Sequence, residues 1–489
     1  MIHKGSSIHI RFWAFAATLA CAGGAALYGA RPSSASITPA TAPKKTEVFG
    51  PSLEFDSDLN KHQPGFAPSG LDLVLTDQSA RVSPQFHVPA GMSDAVRFWL
   101  KVYTQYSSQQ IVVFDDRHLS VVYDVLDFRD LAKTARNRVV YEVTVQHRVK
   151  KAVAGFRTAL ASLARHPKPK HPNEFEKKIL AAVQALPHKH SFAQLAHNVH
   201  TQTGQRDFII SGLQTADNYL PKMENIFRQV GVPPELTRLS MLESSFNVEA
   251  MSYVGAAGIW QFMPRSGKEY LYIDKHAGVD ERISPLKATV AAAKLLQRNK
   301  KVLGTWPLAL TSYNHGFAGL RHLTAAQKDL SQPGHVFDAC RNKPLGWAGR
   351  NYYAEFLAIL HAVAYKDLFY GEMPPLDAHP IAFHRLLRAR SAAEVAMQEG
   401  LSWDRFKRYN PDVRTLQSQL RAGFWVAVPS RTTTQAAADL HALPENWLRS
   451  VRAIRGVSRG QSGPKTNTMP GELKRSMDHA VAREDSSSN

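Results

Sequence analysis

The chain has 489 residues, of which 44% are hydrophobic and 21% charged, and its formal net charge is +19. This length exceeds what one hydrophobic core supports, so we expect two to four folding units. The apolar fraction excludes a wholly disordered chain. The positive charge predicts an anionic partner, such as nucleic acid, a membrane surface or the acidic bacterial wall.

The N-terminus is typical of an exported protein. A basic start is followed by an apolar run over 12–27 and by small residues at 33–35. That run is short for a spanning helix, which needs about 20 apolar residues, so residues 1–35 are predicted to be a signal peptide. A retained membrane anchor and lipidation at Cys21 are the alternatives. Either way we expect a location in the cell envelope, periplasmic and either free or membrane-anchored, which excludes nucleic acid as the partner.

Residues 36–51 are rich in Ser, Thr, Ala and Pro and are predicted to be a flexible linker. Residues 52–200 are predicted to form a mostly helical N-terminal region, because apolar residues over 149–163 recur on one helical face. Prolines between Arg165 and Pro172 interrupt it. Several histidines follow, but their spacing matches no zinc signature. We therefore expect no metal site and no cofactor.

Residues 201–370 are predicted to be the catalytic domain and to be helical, which makes the fold mainly α. Proline at a first turn and glycine after a last turn mark helix ends, and Pro233-Pro234, Gly304 and Gly316 are placed accordingly. The apolar spacing predicts helices over 206–230, 233–244, 286–303, 306–313 and 350–368.

Glu243 is the candidate catalytic residue. It follows an apolar helical stripe of Leu236, Leu239 and Leu242 and should lie at a helix C-terminus. The helix dipole there disfavours a carboxylate, and apolar neighbours would desolvate it, so both effects would raise its pKa. The neighbours that could close over it are Phe246, Trp260, Phe262 and Met263. A carboxyl that stays protonated suits the general acid of glycoside cleavage. The alternative is a glutamate that faces water.

A glycine-containing segment follows Glu243 along the chain. Gly255 and Gly258 predict a turn with positive φ or a close backbone approach. Trp260 and Gln261 offer an aromatic face and an amide, which together could hold a sugar ring. The alternative for Trp260 is a place in the core.

Three motifs together carry a family resemblance. They are Glu-Ser-Ser-Phe at 243–246, Gly-Ala-Ala-Gly-Ile-Trp-Gln-Phe-Met-Pro at 255–264 and Ser-Tyr-Asn-His-Gly at 312–316. In this order and spacing they resemble the soluble-lytic-transglycosylase (SLT) domain family, and within it the membrane-bound lytic murein transglycosylase D type. The resemblance covers residues 205–353.

The resemblance implies a lysozyme-like α-helical fold and cleavage of the β-1,4 bond between N-acetylmuramic acid and N-acetylglucosamine in peptidoglycan glycan strands. It implies that Glu243 protonates the glycosidic oxygen and then takes the proton of the muramic acid C6 hydroxyl, which gives a 1,6-anhydro product. It implies that the sugar is positioned by Ser252, Gly258, Gln261, Tyr313, Asn314 and Tyr352. Tyr353 is the alternative to Tyr352.

Two other functions stay open. Lysozyme-like enzymes share this fold and hydrolyse the bond, although hydrolysis generally uses a second carboxylate. No acidic residue after Glu243 lies in a recognisable motif, and this favours the lytic reaction. A peptidoglycan-binding scaffold with weak catalysis is the other alternative.

Residues 377–430 are predicted to form a small βααβ unit. The pattern predicts strands over 381–387 and 424–428 and helices over 392–399 and 403–409. The unit resembles a LysM module, which binds N-acetylglucosamine chains, but residues 388–391 read Arg-Ala-Arg-Ser where Gly-Asp-Thr is usual. This leaves glycan binding open. Residues 455–489 lack large apolar residues and are predicted to be disordered.

Overall fold

The computed structural model describes residues 68–186, 191–325, 346–373 and 380–430. The segments predicted at 1–35, 36–51 and 455–489 lie outside these residues. The described part is mainly α with small sheets, which confirms the predicted fold class. None of its helices is both long and apolar enough to span a bilayer.

The helices are numbered in chain order through the described residues. They are α1 (Pro68–Leu75), α2 (Ser93–Thr104), α3 (Arg129–Thr134), α4 (Arg138–Arg165), α5 (Glu174–Ala182), α6 (Phe192–His197), α7 (Arg206–Ala216), α8 (Leu220–Val230), α9 (Leu239–Ser244), α10 (Pro264–Gly267), α11 (Pro285–Leu303), α12 (Trp306–His315), α13 (Phe317–Ala325), α14 (Gly346–Ala364), α15 (Lys366–Tyr370), α16 (Ala392–Gln398) and α17 (Trp403–Tyr409). Short 3₁₀ helices cover Pro84–Phe86, Ala90–Met92, Val183–Ala185 and Pro234–Arg238.

The strands form four small antiparallel sheets within the described residues. The first has the order β2-β1-β3, and the others pair β4 with β5, β6 with β9 and β7 with β8. The strands are β1 (Gln110–Asp115), β2 (Val122–Asp127), β3 (Val199–Thr203), β4 (Ile273–Asp274), β5 (Val279–Asp280), β6 (Ile381–Arg385), β7 (Arg390–Ser391), β8 (Gln419–Leu420) and β9 (Trp425–Pro429).

The N-terminal region combines its helices with the three-stranded sheet, which was not predicted. β1 is buried along its whole length and is the central strand. Its side chains alternate between two cores, as the strand period requires. Val112 and Phe114 enter the main core with α1 and α2, whereas Val113 enters a second core that includes Phe156 and Leu160 of α4.

The main core joins the N-terminal helices to the helices from α7 to α14. α14 packs along α2 on one side and against α9 and α12 on the other. Because nearly every residue from Tyr352 to Val363 is buried in α14, this helix is the centre of the domain. Helices from distant parts of the sequence therefore pack around one buried helix, α14.

The predicted glycine signals mark helix ends correctly, but three of the predicted helices are interrupted. α11 ends before Gly304 at φ 85° and α12 ends before Gly316 at φ 91°. The continuous helix predicted over 206–230 is wrong, because the chain breaks between α7 and α8. Pro221 has no amide hydrogen for the carbonyl of Asp217, so the helix cannot run through this position. The segment predicted as a helix over 233–244 is a 3₁₀ helix over Pro234–Arg238 followed by α9, and the one predicted over 350–368 breaks at Tyr365, between α14 and α15.

The C-terminal unit has the predicted βααβ order. β6 and β9 pair antiparallel from Ile381 with Pro429 to Arg385 with Trp425, and α16 and α17 lie between them in the chain. α16 begins with a capping box in which Ser391 and Glu394 satisfy each other's backbone amides. The two-residue strands β7 and β8 add a second pair.

Candidate active site

Glu243 lies in the last turn of α9, beside an apolar helix face. Leu236, Leu239 and Leu242 are each 4% exposed or less. This confirms the predicted stripe and anchors the helix against the main core. Glu243 follows directly after the stripe and is partly buried. The helix therefore presents this carboxyl at the edge of the core.

The backbone after α9 is strained. Ser245 and Phe246 have φ of 46° and 57°, a region that costs a non-glycine residue roughly 1–3 kcal/mol. Phe246 is fully buried, and the hydroxyl of Ser244 donates a 3.1 Å hydrogen bond to the carbonyl of Ile259. Packing and this bond hold the strained turn, and the turn fixes the end of the helix that carries Glu243.

The carboxyl of Glu243 is hydrogen-bonded to a tyrosine. The hydroxyl of Tyr352, on α14, donates to Oε1 of Glu243. Burial raises the pKa of Glu243 to about 7, and the bond from Tyr352 lowers that pKa in part. Burial is one of the two causes expected from the sequence. A carboxyl with this pKa can give and recover a proton near neutral pH, which is what general acid–base catalysis requires.

Tyr313 and Asn314 lie in the last turn of α12. The hydroxyl of Tyr313 donates a 2.8 Å hydrogen bond to the carbonyl of Trp260. Burial raises the pKa of Tyr313 well above its ordinary value, and the charge of Glu243 raises it further. Asn314 is partly buried beside it. The structure thus brings Tyr313, like Tyr352, into the electrostatic range of Glu243.

Ser252 and Gly258 belong to a tight segment that we call the glycine loop (residues 250–262). The hydroxyl oxygen of Ser252 accepts a 2.9 Å hydrogen bond from the amide of Ala256. The amide of Gly258 donates a 2.8 Å bond to the carbonyl of Ala250. These bonds close the loop on itself and leave Ser252 partly buried.

Gly258 is required by close packing of the backbone. Its φ is 73°, and a Cβ at this position would lie 2.0 Å from the carbonyl oxygen of Arg282. The sequence predicted either a positive φ or a close backbone approach, and Gly258 shows both. The structure gives this residue a backbone role in holding the loop.

Gln261 and Trp260 differ in their surroundings. Gln261 is partly buried at φ 45°, and its side-chain amide donates a 2.8 Å bond to the carbonyl of Gly258. Trp260 is 0% exposed, stacks on Phe227 and donates a 2.9 Å bond to Thr289. The core alternative is thus correct for Trp260, which offers no face to a sugar.

Two residues near this site were missed in the sequence. Glu355 is 1% exposed on α14, one turn after Tyr352, and its Oε1 has no hydrogen-bond partner within the described residues. Burial raises its pKa well above the ordinary value, and the charge of Glu243 adds to the rise. The signal was available, because Glu355 interrupts an apolar helical run.

Arg282 is the second missed residue. Its guanidinium is buried and donates to the carbonyls of Gly255 at 2.6 Å and Phe262 at 2.9 Å. It also forms two bonds, of 2.9 and 2.8 Å, to the carboxylate of Asp280. The glycine loop is therefore held from outside by a charged group. No sequence motif had indicated this.

Among the described residues, the arrangement offers acid–base chemistry at one partly exposed carboxyl, that of Glu243. Glu355 feels the charge of Glu243, but at 1% exposure it cannot bring water to a substrate. Within the described ranges, no group of three or more His, Cys, Asp or Glu side chains is placed to hold a metal ion. Glu243, with the hydroxyl of Tyr352 bonded to it and Tyr313 nearby, is the candidate reactive group among the described residues.

Comparison of the sequence with known proteins relates the segment that contains Glu243 to one family. The family model described as "Transglycosylase SLT domain" matches residues 225–333. The chain is 26% identical over 227 residues to "Membrane-bound lytic murein transglycosylase D" of Escherichia coli (strain K12), which covers 46% of this chain and 49% of that protein. It is 29% identical over 119 residues, 24% of this chain and 57% of the other, to "Putative tributyltin chloride resistance protein" of Alteromonas sp. (strain M-1).

These matches confirm the resemblance to the SLT domain family that the three motifs predicted. The segment matched by the family model contains Glu243, the glycine loop and α12, whereas Tyr352 and Glu355 of α14 lie beyond its end. The chain spans about half the length of the curated transglycosylases that it matches.

Proposed function

We propose that this protein is a lytic transglycosylase that cleaves the β-1,4 bond between N-acetylmuramic acid and N-acetylglucosamine in peptidoglycan. The observation that carries the proposal is the carboxyl of Glu243, partly buried at a strained helix end, with a pKa raised to about 7. The motif order and the family match support the same substrate class. The net charge of +19 suits an anionic polymer in the cell envelope.

In the proposed reaction, protonated Glu243 gives its proton to the glycosidic oxygen, and the bond from that oxygen to the anomeric carbon breaks. The carboxylate then takes the proton of the muramic acid C6 hydroxyl, whose oxygen attacks the anomeric carbon. The products are an N-acetylglucosamine end and a 1,6-anhydro-muramic acid end, and Glu243 is protonated again. The hydroxyl of Tyr352 keeps the carboxyl of Glu243 oriented while the proton of Glu243 leaves and returns.

The lytic product is favoured over hydrolysis by the carboxyl groups. A hydrolase of this kind generally needs a second carboxylate that activates water or attacks the sugar. Among the residues that the structure describes, the one carboxyl whose pKa is raised by the charge of Glu243 is that of Glu355, and it is buried in the core. The muramic acid hydroxyl supplies the nucleophile in its place. Ser252, Gln261, Tyr313 and Asn314 are proposed to position the sugar, and glycan binding by the C-terminal unit stays a prediction.

The test is mass spectrometry of muropeptides that the purified protein releases from peptidoglycan. Glu243→Gln is the diagnostic variant, and Glu174→Gln, whose side chain is 80% exposed in an ion pair, is the matched control. We expect 1,6-anhydro products from the wild type and the control and none from Glu243→Gln. Reducing-end products would identify a hydrolase instead. Absence of any product from the wild type would favour the scaffold alternative.

A further inference from the structure

The C-terminal unit is built onto the catalytic region through the hairpin of β4 and β5. Val279 of that hairpin lies in the core of the unit together with Val395, Phe406 and Val426. The backbone of Val279 also pairs with Val413 in an antiparallel bridge. One side of the unit's core therefore comes from the catalytic region.

Backbone hydrogen bonds continue this junction. The amide of Arg414 donates a 2.9 Å bond to the carbonyl of Gly278, and the amide of Gln419 donates a 2.8 Å bond to that of Ala277. Gly278 has φ of 69°, and a Cβ there would lie 2.3 Å from Oγ of Ser418. A side chain at position 278 would displace the hydroxyl of Ser418, which donates a 2.9 Å hydrogen bond to the carbonyl of Gly278.

Buried charges run from this junction toward Glu243. We call Asp280, Arg282, Lys287 and Asp412 the docking ion cluster. Lys287 of α11 donates a 2.7 Å bond to the carboxylate of Asp412, and the amide of Asp280 donates a 2.8 Å bond to the carbonyl of Asp412. All four residues are 5% exposed or less. Buried pairs of this kind hold a fixed geometry, because breaking one leaves an uncompensated charge.

The cluster ends on the glycine loop. Arg282 holds Asp280 with one side of its guanidinium and the carbonyls of Gly255 and Phe262 with the other. The loop in turn accepts hydrogen bonds at Ile259 from Ser244, beside Glu243, and at Trp260 from Tyr313. A continuous set of hydrogen bonds thus links the C-terminal unit to α9, which carries Glu243, and to Tyr313 of α12.

We propose that the C-terminal unit is a scaffold of the active site, and that Arg282 is the positioning residue through which it holds the glycine loop and Gln261 in register with Glu243. This inference rests on the proposed function for its catalytic readout. The unit acts here through the rigidity of the junction, whether or not it also binds glycan.

The test disturbs the junction without touching the active site. Gly278→Ala places a methyl group against Ser418, whereas Gly400→Ala is the matched control, since Gly400 has φ of 65° in the same unit with nothing within 4 Å of a Cβ. Both variants carry the same backbone strain. A double variant, Gly278→Ala with Ser418→Gly, removes the clashing side chain again.

Turnover of soluble, uncrosslinked glycan strands is measured for the full-length variants, together with hydrogen exchange of the amides over 255–262. We expect kcat of Gly278→Ala to fall about tenfold below that of Gly400→Ala, since a small misplacement lowers rate. Loop amides should exchange faster in Gly278→Ala, and the double variant should recover both properties.

Equal kcat and equal loop exchange in Gly278→Ala and Gly400→Ala would overturn the inference. A raised KM with unchanged kcat would also overturn it, because the unit would then act by binding glycan. A wild type that yields no product would contradict the proposed function alone. The hydrogen-exchange comparison would still decide whether the unit holds the loop.

Discussion

Two pairs of carboxyl groups in the described part of this protein have opposite surroundings. In the docking ion cluster, Asp280 and Asp412 are 1% exposed or less, and each has a cation at 2.8 Å or closer. Around the site, Glu243 and Glu355 form no ion pair within the described residues. Glu243 has a tyrosine hydroxyl, and Oε1 of Glu355 has no hydrogen-bond partner.

The presence or absence of a cation partner distinguishes carboxyl groups that stabilise the fold from carboxyl groups that are available for chemistry. A buried carboxylate with a guanidinium or ammonium partner stays charged and fixes geometry. A buried carboxyl without a cation favours its neutral form, and its proton becomes available for chemistry. Whether a buried carboxyl has a cation partner therefore indicates its role better than its exposed fraction does. The same substitution, carboxyl to amide, should have opposite effects on stability in the two regions.

The largest effect is expected at Glu243. Glu243→Gln removes the proton donor and should lower turnover about 10²- to 10⁴-fold, the usual contribution of general acid–base catalysis. Initial rates of product release measure it, with Glu174→Gln as the control. If Glu243→Gln keeps more than a tenth of the wild-type rate, Glu243 is not the proton donor.

Asp280→Asn should be the most destabilising amide substitution. It leaves the charge of Arg282 buried with a weakened partner, and breaking such a pair costs about 3–5 kcal/mol. Urea unfolding measures the loss, with Asp130→Asn as the control, because the Asp130 side chain is 96% exposed. Equal midpoints for the two variants would show that the docking ion cluster contributes nothing to stability.

Tyr352→Phe should change the pH dependence of the reaction. The Tyr352 hydroxyl lowers the pKa of Glu243, so its removal should raise that pKa further and move the alkaline limb of kcat/KM to higher pH. The rate at the optimum should fall about tenfold as the carboxyl loses its orientation.

Tyr353→Phe is the matched control for this variant. Tyr353 is also buried, stacks on Phe356, and has a pKa raised by burial alone. It should keep the wild-type profile. An unshifted limb in Tyr352→Phe, or the same shift in both variants, would contradict the assigned hydrogen bond.

Glu355→Gln should give the smallest effect, and it should be stabilising. The folded state raises the pKa of Glu355 above its ordinary 4.5, so folding is favoured while the group is protonated and is weakened as pH rises above the unfolded pKa. Gln cannot ionise, so the melting temperature should rise by a few degrees at pH 7. Thermal unfolding at pH 4 should show no gain. A loss of stability at pH 7 would mean that Glu355 is charged and paired.

Local patterns in the sequence predicted the position of Glu243 and the glycine turn, whereas Tyr313, Asn314 and Tyr352 were implied only by the family resemblance. The leucine stripe placed Glu243 at a helix end, and Gly258 indicated a close backbone approach, because both depend on residues a few positions apart. The split between α7 and α8 could have been found at Pro221. The predicted βααβ order rested on equally local signals.

The long-range parts could not be predicted in this way. The pairing of β1 with β3 joins residues about ninety positions apart, and Lys287 meets Asp412 across 125 positions. A charged side chain gives no local sign of its partner, so Arg282 and Glu355 were missed. Trp260 shows the same limit. The sequence around it is compatible with stacking against a sugar ring, but its packing places it in the core.

Within the described residues, Glu243 is a carboxyl without a cation partner, and burial raises its pKa to about 7. Carboxyl-labelled glutamate allows a direct titration by ¹³C NMR, with Glu243→Gln identifying the resonance. We expect the resonance missing from the variant to titrate with a midpoint near pH 7 in the wild type. A missing resonance that titrates near the ordinary value of 4.5 would contradict it.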